Sequence, residues 1–234
     1  ALAREDGAAV LAMARSLAAV RDDWNGFAVL HTAASRVGGL DLGLVPGEGG
    51  RDVTGILAGA QGKEIEAVFL LAADEIDTSK LGKAFVIYQG HHGDAGAHRA
   101  DVILPGAAYT EKPGTYVNTE GRVQLGQRAA YPPGDAREDW AILRALSERL
   151  GKTLPYDSLD QVRARLIAVN RVFAELDQQS PGAWGEFGKS GGSVSDAPFE
   201  TPIKNFYMTD PISRASRTMA ECMASRQQML AAAE

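Results

Sequence analysis

The chain has 234 residues, 45% of them hydrophobic, and a formal net charge of -6. A chain of this length buries roughly 70% of its unfolded surface, enough for one large domain or two small ones. The acidic balance argues against a nucleic-acid partner, because phosphate binding requires a basic face. Cys222 is the only cysteine, which excludes an intramolecular disulfide and a zinc or iron–sulfur site made from several of the chain's own thiolates.

The chain shows neither a signal-peptide pattern nor an apolar run of about 18 residues. It begins at Ala1 without a methionine. We therefore expect the C-terminal piece of a longer protein, or a processed form, that does not span a membrane by itself.

Helical patterns dominate the N-terminal part. Asp6 is a suitable N-cap for a helix that continues to about Arg21. Apolar spacing predicts a second helix from Trp24 to Val37, ended by Gly38-Gly39. His31 lies in this second helix, and we interpret it as a packed or surface histidine, since no partner lies four residues on. A glycine-rich loop precedes a short helix at residues 53–60.

Three short apolar segments follow, at Ala67–Ala73, Ala84–Tyr88 and Val102–Leu104. The first has the length and flanks of a strand buried on both faces, as in a parallel sheet. Strands separated by short helical segments predict an α/β fold, a layered and partly parallel sheet with flanking helices.

A β-hairpin is predicted next. Thr115–Asn118 would pair with Arg122–Leu125 across Glu120-Gly121, where glycine can adopt the positive φ that the turn requires. This dense run of turns is typical of binding loops at a sheet edge.

Two helices are predicted after the hairpin. One follows the turn at Pro132–Asp135 and ends at Gly151. The other has a capping box made by Ser158 and Gln161. We expect its apolar residues to be buried: Leu159, Val162 and Leu166.

The C-terminal part changes composition. Residues 178–202 are rich in Gly, Ser and Pro and predict a flexible linker or surface excursion. Thr209 or Asp210 would cap a final helix with Pro211 in its first turn. We therefore divide the chain into an α/β domain at 1–177, the linker at 178–202 and a helical tail at 203–234.

Several residues invite a functional interpretation. Ala183–Ser190 matches a loose phosphate-binding loop, but it lacks the preceding strand and following helix that such a site requires, so we interpret it as a loop. Cys222 lies on an apolar helix stripe, where core packing competes with an adaptable partner surface made with nearby methionines.

Two groups of polar residues lie in or near the hairpin region. A metal site would draw on His91, His92, His98, Asp94 and Asp101. Their spacing suits neither a helix nor a strand pair, so we favour hydrogen-bonding roles and keep the metal as the alternative. Glu111 and Glu120 could form an acid–base pair, although carboxylates beside such turns more often accept backbone or Arg hydrogen bonds. We assign no catalytic and no metal-ligating residue.

Three blocks of sequence resemble a known family. Ala100–Gln124 is similar to the signature of the molybdopterin oxidoreductase superfamily. Gln89–Lys112 and Asn205–Cys222 resemble one branch of it, the large iron–sulfur subunit of respiratory complex I, as does Arg137–Leu166. Separate blocks in the right order make a chance match improbable.

The resemblance implies a role in NADH:quinone oxidoreductase. It places the iron–sulfur clusters in an N-terminal part that this chain lacks, so no cofactor is expected here, and it leaves a scaffold of the peripheral arm that contacts other subunits. The site implied is the cytoplasmic face of a bacterial inner membrane or the mitochondrial matrix side. Asn118, Thr119 and Arg122 would be remnants of a pterin-binding loop.

Two alternatives stay open. One is a molybdopterin-dependent oxidoreductase, such as a formate dehydrogenase, with its metal ligand upstream. The other is a small interaction module that acts alone. A segment whose sheet requires strands from elsewhere would expose edges and aggregate.

Overall fold

The computed structural model describes residues 4, 6–21, 24–179, 189–203 and 205–231. The described helices are α1 (Gly7–Ser16), α2 (Arg36–Asp41), α3 (Val53–Gln61), α4 (Ala95–Arg99), α5 (Asp139–Arg149), α6 (Leu159–Val169), α7 (Pro211–Ala215) and α8 (Arg217–Ala231). The strands are β1 (Val20–Arg21), β2 (Trp24–Asn25), β3 (Ala67–Leu71), β4 (Phe85–Gly90), β5 (Val102–Pro105), β6 (Gly114–Val117) and β7 (Val123–Gly126). Short 3-10 helices lie at Thr78–Leu81 and Arg171–Ala174.

A three-stranded parallel sheet forms the centre of the fold. Its strand order is β3-β4-β5, and Leu70 pairs with Tyr88, which pairs with Ile103 on its other side. The first crossover contains a 3-10 turn and the second contains α4. This α/β arrangement with flanking helices confirms the predicted fold class.

The main core covers one face of this sheet. Val68 and Leu70 of β3 and Val86 and Tyr88 of β4 are buried against α3 and the turn that carries Leu81. Each large apolar side chain buried in this way contributes about 1.5–3 kcal/mol to folding. The core therefore fixes the direction in which the carboxyl ends of the strands point.

The opposite face of the sheet is apolar and open to solvent. Phe69, Leu71, Phe85 and Val102 are 37%, 53%, 49% and 40% exposed. The prediction that the first strand is buried on both faces is wrong for this chain. Alternate residues of a strand point to opposite faces, and among the described residues only one face is packed.

The predicted helix over residues 24–37 is also wrong. Trp24 pairs with Arg21 in the β1–β2 hairpin, which a hydrogen bond from the Gly26 N–H to the Ala19 carbonyl extends over 2.7 Å. A Cβ at Gly26 would lie 2.0 Å from the Trp24 ring, so the absence of a side chain there permits the hairpin. This pairing overrides the helical spacing of the apolar residues.

Helix positions differ in two further places near the N-terminus. Helix α1 ends at Ser16 rather than Arg21, because Ala18 adopts a positive φ of 55° and turns the chain into β1. Gly38, expected to end a helix, lies inside α2, where a Cβ would meet the Val117 side chain at 3.1 Å. The glycine therefore serves close packing of α2 on β6.

The hairpin and the two helices after it follow the sequence closely. Thr115 pairs with Leu125 and Val117 with Val123, which is the predicted register. The Gln161 N–H donates to Ser158 Oγ over 3.3 Å, which confirms the N-cap of α6. However, no residue of α6 is fully buried, so the expected burial of its apolar stripe is wrong, because these side chains line an open groove.

The C-terminal tail is divided and contacts the body of the fold. The single predicted helix is two helices, α7 and α8, because Ser216 adopts an extended conformation between them. Asp210 caps α7 by accepting the N–H groups of Ile212 and Ser213. Arg214 then pairs with Asp94 and Glu75 near the carboxyl end of the sheet.

The described residues that precede this tail pack on α1. The N–H of Ser195 donates to Asp6 over 2.9 Å, and Arg4 donates to the carbonyl oxygens of Ala197 and Pro198. The division of the chain at residues 177 and 202 stays a prediction.

Candidate functional site

The β6–β7 turn carries the residues that the sequence singles out. Asn118 Oδ1 accepts the backbone N–H groups of Glu120 and Arg122, each over 3.0 Å. Gly121 has a φ of 83°, which favours glycine. The Arg122 guanidinium donates to the Asp177 carbonyl over 2.5 Å, so the turn is held both by its own residues and by a distant segment.

A cavity of about 370 Å³ lies between this hairpin and the segment before α2. It is lined by His31, Thr32, Ala33, Ala34, Ser35, Arg36, Val37, Tyr116, Val117, Asn118, Thr119 and Gln124. Ser35 Oγ accepts the Val117 N–H over 3.0 Å and joins the two walls. Burial raises the pKa of Tyr116, with smaller contributions from Tyr109 and Asp139.

The three pterin-loop candidates behave differently in this cavity. Asn118 and Thr119 line it, whereas Arg122 contacts Asp177 and Glu120 instead. The Asn118 side-chain oxygen and the Arg122 guanidinium are both used to hold the hairpin. This set does not fit a phosphate-bearing pterin, which needs donors directed at the ligand. Their origin as remnants of such a loop stays a prediction.

Other lining residues were not expected. His31 lies in an irregular segment rather than a helix, and Arg36 starts α2. Both line the cavity beside Gln124 of β7. No sequence signal identifies them, because the packing of α2 on β6 brings together segments that are far apart in the chain.

The carboxylate pair does not act together in this structure. Glu111 Oε2 accepts the Ala108 N–H over 2.9 Å. Glu120 lies 3.8 Å from the Arg122 guanidinium. Each carboxylate therefore has the backbone or arginine partner that turns commonly provide.

The histidines and aspartates of the lead-in also have separate structural partners. His91 and His92 share a hydrogen bond between their Nδ1 atoms over 2.7 Å, and His98 Nδ1 contacts the Asp94 carbonyl over 2.8 Å. Asp94 caps α4 through the Ala95 N–H, and Asp101 accepts the Val86 N–H. Within the described ranges, no group of three or more such side chains could hold a metal ion.

A buried polar network at the carboxyl end of β4 is absent from the sequence-based predictions. Gln89, fully buried, donates its amide to Asp139 Oδ1 over 2.9 Å, and Lys112 forms an ion pair with the same carboxylate. Burial, with the charges of His92 and Lys112, lowers the pKa of His91 beside this network. Sequence reasoning missed it because its members belong to three segments.

The two remaining candidates are Cys222 and the match to a phosphate-binding loop. Cys222 is half-buried on α8, which leaves both interpretations of its stripe open. Residues 183–188 of the phosphate-loop match lie outside the described residues. No described helix is long and apolar enough to cross a bilayer.

Two family profiles match this sequence. The profile of molybdopterin oxidoreductase matches residues 1–149. A profile of the C-terminal region of the large NADH-ubiquinone oxidoreductase subunit matches residues 178–222. Together they confirm the predicted resemblance, including its branch.

Curated relatives agree with these profiles. The 78 kDa subunit of mitochondrial NADH-ubiquinone oxidoreductase from Neurospora crassa is 45% identical over 88% of this chain and 27% of that protein. Iron–sulfur protein 1 of mitochondrial NADH dehydrogenase [ubiquinone] from Solanum tuberosum is 46% identical over 93% of this chain and 28% of its own length. The 75 kDa subunit from Reclinomonas americana is 43% identical, with shares of 94% and 32%. The chain thus spans less than a third of each of these relatives.

Among solved structures, acetylene hydratase from Pelobacter acetylenicus aligns with 68% of this chain and 23% of its own chain. Its TM-score is 0.40 and its sequence identity is 20%. That likeness is too weak to support a statement about function.

Proposed function

The chain belongs to the molybdopterin oxidoreductase family, and on this premise we propose that it is a portion of the large subunit of a respiratory NADH:quinone oxidoreductase. Relatives named as subunits of that enzyme, at 43–46% identity, support the proposal. The match of residues 178–222 to the C-terminal profile of that subunit favours this branch over a formate dehydrogenase.

Within that enzyme, the role of these residues is to scaffold the peripheral arm. One observation carries this part of the proposal, the open apolar face of the parallel sheet formed by Phe69, Leu71, Phe85 and Val102. Parallel sheets are covered on both faces, and a contiguous apolar patch marks an interface. The occupant is another part of the same subunit, since the relatives are more than three times longer than the share that this chain spans.

The electron carriers lie outside these residues in this proposal. The Solanum relative is named an iron–sulfur protein, and the clusters would be held by cysteines in the part of the subunit that this chain does not span. NADH and flavin would bind another subunit. The scaffold would lie on the mitochondrial matrix side of the inner membrane, or on the cytoplasmic face in a bacterium.

The test is purification of the full-length subunit through an affinity tag after gentle extraction. We expect the other peripheral-arm subunits to copurify with NADH-oxidising activity and iron in the preparation. A preparation that contains stoichiometric molybdenum and pterin would instead favour the formate dehydrogenase class. A clean monomer without partners would contradict the proposal.

A further inference from the structure

A second cavity, of about 360 Å³, lies between the start of β6 and the helix α6. We call it the α6 groove. It is lined by Leu42, Pro113, Gly114, Thr115, Tyr156, Leu159, Val162, Arg163, Arg165, Leu166 and Val169. Pockets of a few hundred Å³ with mostly apolar walls and few polar groups are typical binding sites.

The apolar stripe of α6 is only partly used by the fold. Leu166 packs on the small core of Val117, Val123 and Phe173. Leu159 and Val162 remain half-buried, and Val169 is 47% exposed. A helix with this spacing of apolar residues normally covers its stripe completely, so the remainder of the stripe is available to a partner.

Two arginines border this apolar surface without a carboxylate. Arg163 Nε is buried and has no hydrogen-bond partner, and neither Arg163 nor Arg165 forms an ion pair with any described residue. The neighbouring Arg144, in contrast, pairs with both Glu148 and Asp157. A buried donor left unpaired is unfavourable, and the cost is removed when an occupant supplies an acceptor.

We propose that the α6 groove is the docking site for a peptide segment of a neighbouring subunit that carries a carboxylate next to an aliphatic or aromatic side chain. The apolar side chain enters between β6 and α6, and the carboxylate accepts from Arg163 and Arg165. Charge complementarity selects this occupant, because two unpaired cations at an apolar wall favour an anion with an apolar neighbour. The proposal rests on the proposed function, since it requires a multisubunit assembly.

The test uses the full-length subunit in the purified assembly. The photoreactive amino acid p-benzoylphenylalanine replaces Val169, and crosslinked peptides are sequenced by mass spectrometry. The matched control places the same amino acid at Ile167, which is 37% exposed on the same helix but does not line the groove. We expect the Val169 probe, and not the Ile167 probe, to capture one segment of another subunit that contains Asp or Glu beside an apolar residue.

A charge series then tests the arginine. The variant Arg163→Glu is expected to lower the crosslink yield by about five- to tenfold, and Arg163→Lys to retain most of it. A Lys in place of the captured carboxylate should restore the yield in the Arg163→Glu background. The exposed Arg171→Glu serves as the control and should leave the yield unchanged.

The outcomes separate the two proposals. An intact assembly in which the Val169 probe reacts only within its own subunit, with a second copy, with a small molecule or with nothing overturns the docking site and leaves the proposed function standing. Equal yields from Arg163→Glu and Arg171→Glu also overturn it. If no other subunit copurifies even with the unmodified protein, both proposals fail.

Discussion

Tyr88 donates its phenolic hydroxyl to Asp74 over 2.8 Å at the carboxyl end of the parallel sheet. Both residues are buried, at 1% and 7% exposure. The second oxygen of Asp74 accepts the Gly96 N–H over 2.8 Å. The pair therefore joins β4, the segment after β3 and helix α4 at one point.

Removing this hydroxyl should weaken that junction. We expect Tyr88→Phe to lower the local free energy of opening by about 1–3 kcal/mol, because one Asp74 oxygen then lacks its donor in a buried position. Native-state hydrogen exchange of the β4 and α4 amides measures this quantity. The control Tyr131→Phe alters a tyrosine that is 79% exposed and should have no effect. Unchanged exchange in Tyr88→Phe would contradict the prediction.

The same residue gives rise to a pH dependence. Burial, assisted by the hydrogen bond to Asp74, raises the pKa of Tyr88 above its ordinary value. Stability from this group is complete below the unfolded pKa of about 10 and falls as the pH rises above it, since the unfolded chain releases the proton first. We expect the alkaline decrease in β4 protection to be smaller in Tyr88→Phe than in the parent. Equal decreases would contradict this assignment.

Asp6 connects α1 to the residues before the C-terminal tail. Its hydrogen bonds with the Arg4 side chain and the Ser195 N–H lower the pKa of the carboxyl. The contact is therefore complete above the unfolded pKa of about 4 and is lost as the pH falls below it. We expect Asp6→Asn to increase hydrogen exchange at the Ser195 amide by about tenfold at neutral pH. Asp196→Asn, at an exposed neighbour, is the control, and equal effects would contradict the prediction.

Asn118 holds the hairpin turn through two backbone donors. We expect Asn118→Ala to destabilise the β6–β7 hairpin by about 1–2 kcal/mol, because the N–H groups of Glu120 and Arg122 lose their acceptor. Asn118→Asp keeps an acceptor oxygen and should retain most of the protection. Hydrogen exchange in β6 and β7 gives the comparison. Thr119→Ala, which lines the same cavity, should leave it unchanged, and a loss as large as that of Asn118→Ala would contradict the role given to Asn118.

The open sheet face leads to a prediction for the whole subunit. A lysine at Phe69 places a charge where we propose that another part of the subunit packs, and burying an unpaired charge is costly. Phe69→Lys should therefore lower the yield of assembled full-length subunit several-fold after expression. Val45→Lys, at a position 57% exposed outside the sheet, is the matched control. Equal yields from the two variants would show that the face stays in water.

Local features of this chain could be predicted from the sequence. The register of β6 and β7 follows from Gly121 and the alternating residues on each side of it, because all of these lie within one short turn. The N-caps of α6 and α7 follow from Ser158 and Asp210 for the same reason. The family, too, could be recognised from local blocks.

Features that depend on distant segments could not be predicted. Residues 24–37 have helical spacing, yet a hairpin with β1 decides their structure. Gln89 and Asp139 meet only because β4 ends beside the start of α5. The cavity beside Thr119 requires α2 to pack on the hairpin.

The sequence by itself thus determined the family, the strands and the turn chemistry of this protein, since these depend on residues close together in the chain. Only the tertiary structure decided which sheet face is buried, which polar side chains are used by the backbone and where unpaired arginines meet an open apolar groove. These properties depend on which distant segments pack against one another, because burial and hydrogen-bond pairing are set by neighbours in space.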